Sequence, residues 1–209
     1  MSEILLSRAD IIDALTELVR ELRADGRRSH IQIVGGAAIA LTLNADRRAT
    51  RDVDAPATPA EAVIAASARV AQARGWPDDW FNNAAEQFVP AGFGRAAEWR
   101  TVHDDGVVRI DVASPEMLLA MKLHAAQRRH LREADDLSVL LRRLEVRSVT
   151  EAEETYREFL HNTLGKRSLA GSSGKEQWRV MEALKEKGFQ PRPIHKGKEL
   201  PSDPQARKI

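Results

Sequence analysis

Two aspartates one residue apart, Asp52 and Asp54, follow an apolar strand pattern, a double glycine and a small-residue helix pattern in "IVGGAAIALTLNADRRATRDVDAP", residues 33–56. At positions i and i+2 of a strand, two carboxylates point the same way, with Cα atoms roughly 6.5–7 Å apart. They repel each other unless a cation sits between them. A hard divalent cation such as Mg²⁺ takes one or two carboxylates together with substrate phosphates. The pair therefore suits a Mg²⁺ (or Mn²⁺) platform for phosphoryl or nucleotidyl transfer. An acidic pair on a solvent-facing strand edge has the same pattern.

Three neighbours bear on that choice. Gly35-Gly36 stands between a strand and a helix, where glycine lets the backbone approach a phosphate and the helix N-terminus favours an anion. A tight turn needing positive φ would use the same residues. Arg47, Arg48 and Thr50 precede the acids and suit phosphate contacts or a polar loop. In "RIDV", Asp111 is flanked by Ile110 and Val112, which take the opposite strand face, so it is a third acid able to join Asp52 and Asp54.

The elements that position these groups are legible in outline. Ser7 with Asp10 opens a helix whose apolar positions recur to Leu22, and Gly26 stops it. Residues 30–34 read as a buried strand, and 49–56 as a strand with Asp52 and Asp54 on one face and Arg51 and Val53 on the other. Pro59 starts a helix to about Arg74, and another is expected near Asp79. Asp105-Gly106 turns a hairpin. Ser114-Pro115-Glu116 starts a helix carrying Lys122 and His124, a further helix follows over "RRHLREADDLSVLLRRL", and Thr150 with Glu153 forms a capping box for the next. His124 reads as structural, because helical spacing turns it away from Lys122.

The fold class is therefore α/β (α+β): a small mixed β-sheet with flanking helices and a C-terminal helical segment. Three regions follow: 1–113 as the core, 114–164 as a helical segment completing the site, and 165–209 as a basic flexible tail with a short helix. The absence of cysteine excludes disulfides and thiolate metal sites. No apolar run approaches the roughly 20 residues that span a bilayer, and the N-terminus lacks signal-peptide features, so a cytoplasmic protein without a membrane partner is expected. The net charge of +1 hides an asymmetry: 161–209 holds eleven Lys/Arg against five Asp/Glu, net +6, leaving −5 for 1–160. Such a tail suits nucleic acid or another anion, and a solvated terminus equally.

In combination, Val34-Gly35-Gly36, Asp52-Val53-Asp54 and Ile110-Asp111-Val112 resemble the nucleotidyltransferase superfamily with the polymerase-β-like minimal fold. "KLHA" from Lys122 and "READD" ending in Asp135-Asp136 are similar to a stretch of AbiEii-like nucleotidyltransferases, relatives of the toxins of type IV toxin–antitoxin systems and of the MenT toxins. The resemblance covers roughly residues 30–145. Gly-Gly replaces the Gly-Ser of many toxin members.

The resemblance implies an enzyme, a metal-dependent nucleotidyltransferase moving a nucleoside monophosphate from an NTP to the 3′ end of tRNA or another RNA, or to a protein hydroxyl. Asp52, Asp54 and Asp111 would be the metal ligands, and Lys122 would neutralise phosphate charge. Gly35 and Gly36 would cradle the triphosphate, supported by Arg48 and Thr50. Asp135 or Asp136 would line the site or orient Lys122. A cognate antitoxin is an implied partner. The alternative is a degenerate member of that fold acting as a nucleotide- or partner-binding module.

Overall fold

The computed structural model describes residues 4–45, 47, 49–90, 94–129 and 134–160. Among them, 4–89 with 98–114 form one compact unit, and 90 and 94–97 with 115–160 form a second.

In the first unit, Ser7 and Asp10 make a reciprocal capping box: Asp10 N donates to Ser7 Oγ at 3.2 Å, and Ser7 N donates to Asp10 Oδ2 at 2.8 Å. This starts helix α1, Arg8–Ala24, which buries Ile11, Ala14, Leu15, Leu18, Val19 and Leu22 along one face. Strand β1, Ser29–Ile33, runs straight into α2, Gly35–Thr42, whose alanines allow close packing. Helix α3, Ala60–Arg74, ends at Gly75 in the left-handed region. It is pinned to α1 by Arg74 on Glu17 and by Arg69 on Glu21 and Asp25. Strands β5, Trp99–Asp104, and β6, Val108–Ala113, form the expected hairpin, with a bulge between Thr101 and His103.

The sheet is mixed. With β3 as Ala57–Thr58, the order is β3-β1-β6-β5; β1 and β6 run parallel and the other pairs antiparallel. Ser29, Ile31 and Ile33 and their partners Val108, Ile110 and Val112 are all buried, forming the core face. Their neighbours His30, Gln32, Arg109 and Asp111 take the opposite face.

Two expectations in this unit are corrected. The acidic stretch makes only a two-residue strand, β2, Val53–Asp54, pairing in parallel with β4, Phe81–Asn82. Asp52 precedes it, and Thr50 is held separately by a bridge to Leu6. Near Asp79 a single 3₁₀ turn, Asp78–Trp80, takes the place of the expected helix. Trp80 and Phe81 are each 1% exposed, and Trp80 Nε1 donates to Ser67 O, so burying two adjacent rings sets the backbone here.

The second unit packs α4, Pro115–Arg129, against α5, Ala134–Arg143, and α6, Val149–Leu160. His124 on α4 stacks on Tyr156 of α6, with Nδ1 3.2 Å from the phenol oxygen. The α6 cap lies two residues earlier than expected. Glu151 N donates to Ser148 Oγ, and the Glu151 carboxylate accepts from Arg147 N. Among the described residues no helix is long and apolar enough to cross a membrane. The linker and helix expected after residue 160 lie outside the described residues.

Candidate functional site

Gly35 is required by geometry, and Gly36 by close neighbours only. Gly35 sits at φ +64°, and a Cβ there would lie 3.1 Å from Asp54 Oδ2. Val34 N donates to Asp54 O at 3.0 Å, drawing the acidic segment against the end of β1. A Cβ on Gly36 would lie 2.7 Å from Arg47 Nη2 and 3.0 Å from Thr50 Oγ1. Arg47 and Thr50 therefore crowd the first turn of α2, which has neither a side-chain cap nor an acid. That end of the helix carries positive potential. Arg48, singled out from sequence, lies outside the described residues.

Asp52 and Asp54 meet a residue that sequence reasoning missed. Asn82 pairs with Asp54 in the short β2–β4 ladder, and its Nδ2 donates to Asp52 Oδ2 at 3.3 Å. The only signal was an Asn-Asn pair following buried aromatics.

Asp111 belongs to a different cluster. It is 1% exposed. Arg109 Nε donates to both of its oxygens at 3.0 Å, and His30 Nε2 lies 2.7 Å from Oδ2. Arg109 Nη2 also reaches Thr101 Oγ1 at 3.0 Å. Burial alone would push the Asp111 carboxyl up, but the hydrogen bonds from Arg109, Thr101 and His30 and the guanidinium charge together hold it below the ordinary carboxylate value.

In the second unit, Lys122 Nζ on α4 lies 2.8 Å from Asp136 Oδ2 on α5, with side chains 13% and 6% exposed. Asp135, one residue earlier, is exposed in the first turn of α5.

These arrangements bear on the expected metal. Among the described residues, no group of three or more His, Cys, Asp or Glu side chains is placed to hold a metal ion. Both oxygens of Asp111 already accept from Arg109. Among the described residues, Asp52, Asp54 and Asp111 are thus not grouped as a three-carboxylate centre. Three local arrangements stand in its place: a crowded helix start at Gly36, a carboxylate–amide pair at Asp52 and Asn82, and a buried carboxylate gripped by Arg109 and His30.

Residues 152–209 match the family described as GemA: Bacteriophage Mu, GemA protein. No curated protein and no solved structure matches the chain. The family match overturns the nucleotidyltransferase expectation in each of its parts: the AbiEii- and MenT-like recognition, the transfer from NTP, the assignment as an enzyme, the nucleotide-binding alternative and the toxin–antitoxin role. The family matched is a phage one of a different kind, and it covers the region that the resemblance left out. The short motifs that carried the resemblance have local explanations. Gly35 serves a left-handed turn against Asp54, Asp111 serves a polar cluster with Arg109, and Lys122 pairs with Asp136.

Proposed function

We propose that the chain is a nucleic-acid-binding protein in which the segment similar to GemA makes the principal contact with the polyanion. The observation that carries this reading is that the matched region encloses the basic end of the chain. The matched region, 152–209, holds twelve Lys/Arg against eight Asp/Glu, net +4, of which 161–209 carries +6, while residues 1–151 carry −3. The two cation types are also segregated. Seven of the chain's eight lysines, at 166, 175, 185, 187, 196, 198 and 208, fall in that segment, and the eighth is Lys122. Lysine is a flexible, strongly hydrated point charge suited to phosphates without a fixed geometry. A cationic segment gains affinity chiefly by releasing counterions from the nucleic acid.

The test is titration of a labelled duplex with the full chain at several salt concentrations. The logarithm of affinity should fall linearly with the logarithm of salt, with a slope of roughly 0.9 for each phosphate contact. Replacing Lys166, Lys175, Lys185 and Lys187 with Gln in the full chain should lower both the affinity and the slope. Binding that is absent, independent of salt, or unchanged in the four-lysine variant overturns the proposal.

A further inference from the structure

The face of the four-stranded sheet opposite the core carries a pattern that packing does not explain. On the core face, every β1 and β6 position is buried, and all but Ser29 are apolar. On the other face the register places Trp99 beside Ala113, Asp111 between Thr101 and Gln32, and His30 between Arg109 and Thr58. Thr58, Thr101 and Arg109 are exposed, and Trp99, His30 and Gln32 half-buried. Asp111 is the buried member; it pairs with the Arg109 guanidinium and is hydrogen-bonded to His30. Asp104 lies at the hairpin end of this face, beside Arg109.

We propose that this face is a platform for single-stranded nucleic acid, with Trp99 and His30 stacking bases and Arg109 meeting the backbone between them. The inference rests on the nucleic-acid reading above and adds a second contact, made by the first unit and specific for unpaired strands. Stacking platforms for single strands combine flat rings with a cation along the backbone path, and they tolerate any base because every base has a π face. Trp99 and His30 stand two strands apart and four residue positions apart along them, about 10 Å by about 13 Å. That separation spans two or three extended nucleotides. A duplex keeps its bases stacked inside and offers nothing to the rings.

Asp111 positions the two groups beside it. Its grip on Arg109 Nε and His30 Nε2 fixes a guanidinium and an imidazole that would otherwise sample many rotamers. Thr101 and Gln32 supply hydrogen-bonding groups between the two rings.

The experiment uses the full chain and two probes at one salt concentration: a fluorescein-labelled oligothymidylate of about 12 nucleotides, within the usual range of site sizes, and a duplex of equal length. Trp99→Leu removes one ring, and His30→Gln removes the other while retaining a donor for Asp111. Each should weaken single-strand binding roughly 5- to 150-fold, the range for one lost base stack, and leave duplex binding unchanged. Duplex binding by wild type together with wild-type single-strand affinity in both variants overturns the platform and leaves the C-terminal contact standing. Binding of neither probe by wild type overturns the nucleic-acid reading itself. Should a variant fail to fold, photocrosslinking a thiouridine-containing strand to wild type decides the question. Crosslinks within residues 99–111 support the platform, and crosslinks confined to 161–209 overturn it.

Discussion

Asp111 on the sheet and Asp136 on α5 are both buried carboxylates held by a basic side chain, yet their surroundings differ. The Asp111 side chain is 2% exposed, but its partners Arg109 and His30 are 49% and 40% exposed. The Asp136 side chain is 6% exposed and its partner Lys122 only 13%. In the first case one buried acid organises a guanidinium and an imidazole that still touch water. In the second, both members of the pair have left water. A buried pair gains little over a well-packed apolar pair, because desolvation offsets the Coulomb attraction, but removing one member strands the other. A carboxylate served by half-exposed partners is more forgiving, since those partners can be hydrated again.

The largest effect expected from this contrast is at Lys122. Lys122→Ala leaves Asp136 buried without its ammonium partner, and the loss should be about 3–5 kcal/mol of unfolding free energy, read by urea denaturation at neutral pH. The double change Lys122→Met with Asp136→Leu should recover most of that loss, because it removes both charges from the α4–α5 contact. A double variant as unstable as the single one would break the comparison, placing the value of the pair in something other than charge.

Asp111→Asn should cost less, about 1–2 kcal/mol, since hydrogen bonds to a charged group are lost but Arg109 and His30 return to solvent. Its clearer signature is in the pH dependence. The folded carboxyl titrates below its unfolded value of about 3.9. Its contribution is therefore present above that value and is lost as pH falls through the folded one. Asp105 acts in the same direction. Backbone N–H donors from Val108 and Val107 hold it at about 2, so its share is lost between about pH 4 and about pH 2. The acid limb of stability against pH should thus become shallower in Asp111→Asn without flattening. A limb unchanged from wild type would mean that Asp111 is not the charged anchor described.

The two clusters were unequally visible from sequence. Asp111 was marked by its flanking isoleucine and valine, but its partner His30 is 81 residues away and only the parallel β1–β6 register brings them together. Lys122 and Asp136 were both noticed, since they lie on consecutive helices, and the resemblance linked them without specifying an ion pair. Local signals succeeded where one pattern had one solution, as at Ser7 and Asp10. They failed where two patterns competed: Ser148 with Glu151 and Thr150 with Glu153 both spell a capping box, and the chain uses the first. Near Asp79, burial of Trp80 and Phe81 overrode helix propensity. The partners of the acids were hidden for a related reason, because spacing shows which acids share a strand face but not which donors meet them, as Arg109 and His30 meet Asp111.

Thr101→Val makes the smallest and sharpest test of the contrast. The Thr101 hydroxyl hydrogen-bonds to Asp111 and accepts from Arg109 Nη2, so it bridges the acid and the cation on an exposed edge strand. Valine keeps the branched shape and the strand preference, and removes only the hydroxyl. The expected loss is about 0.5–1 kcal/mol, a single hydrogen bond in a hydrated setting. A comparable loss in the variant already carrying Asp111→Asn would show that the hydroxyl acts through the sheet or through Arg109. A smaller loss there would show that it acts through the carboxylate, as a double-mutant cycle is built to separate. The second outcome is expected, because an anchor that draws on half-exposed partners depends on each additional donor directed at it.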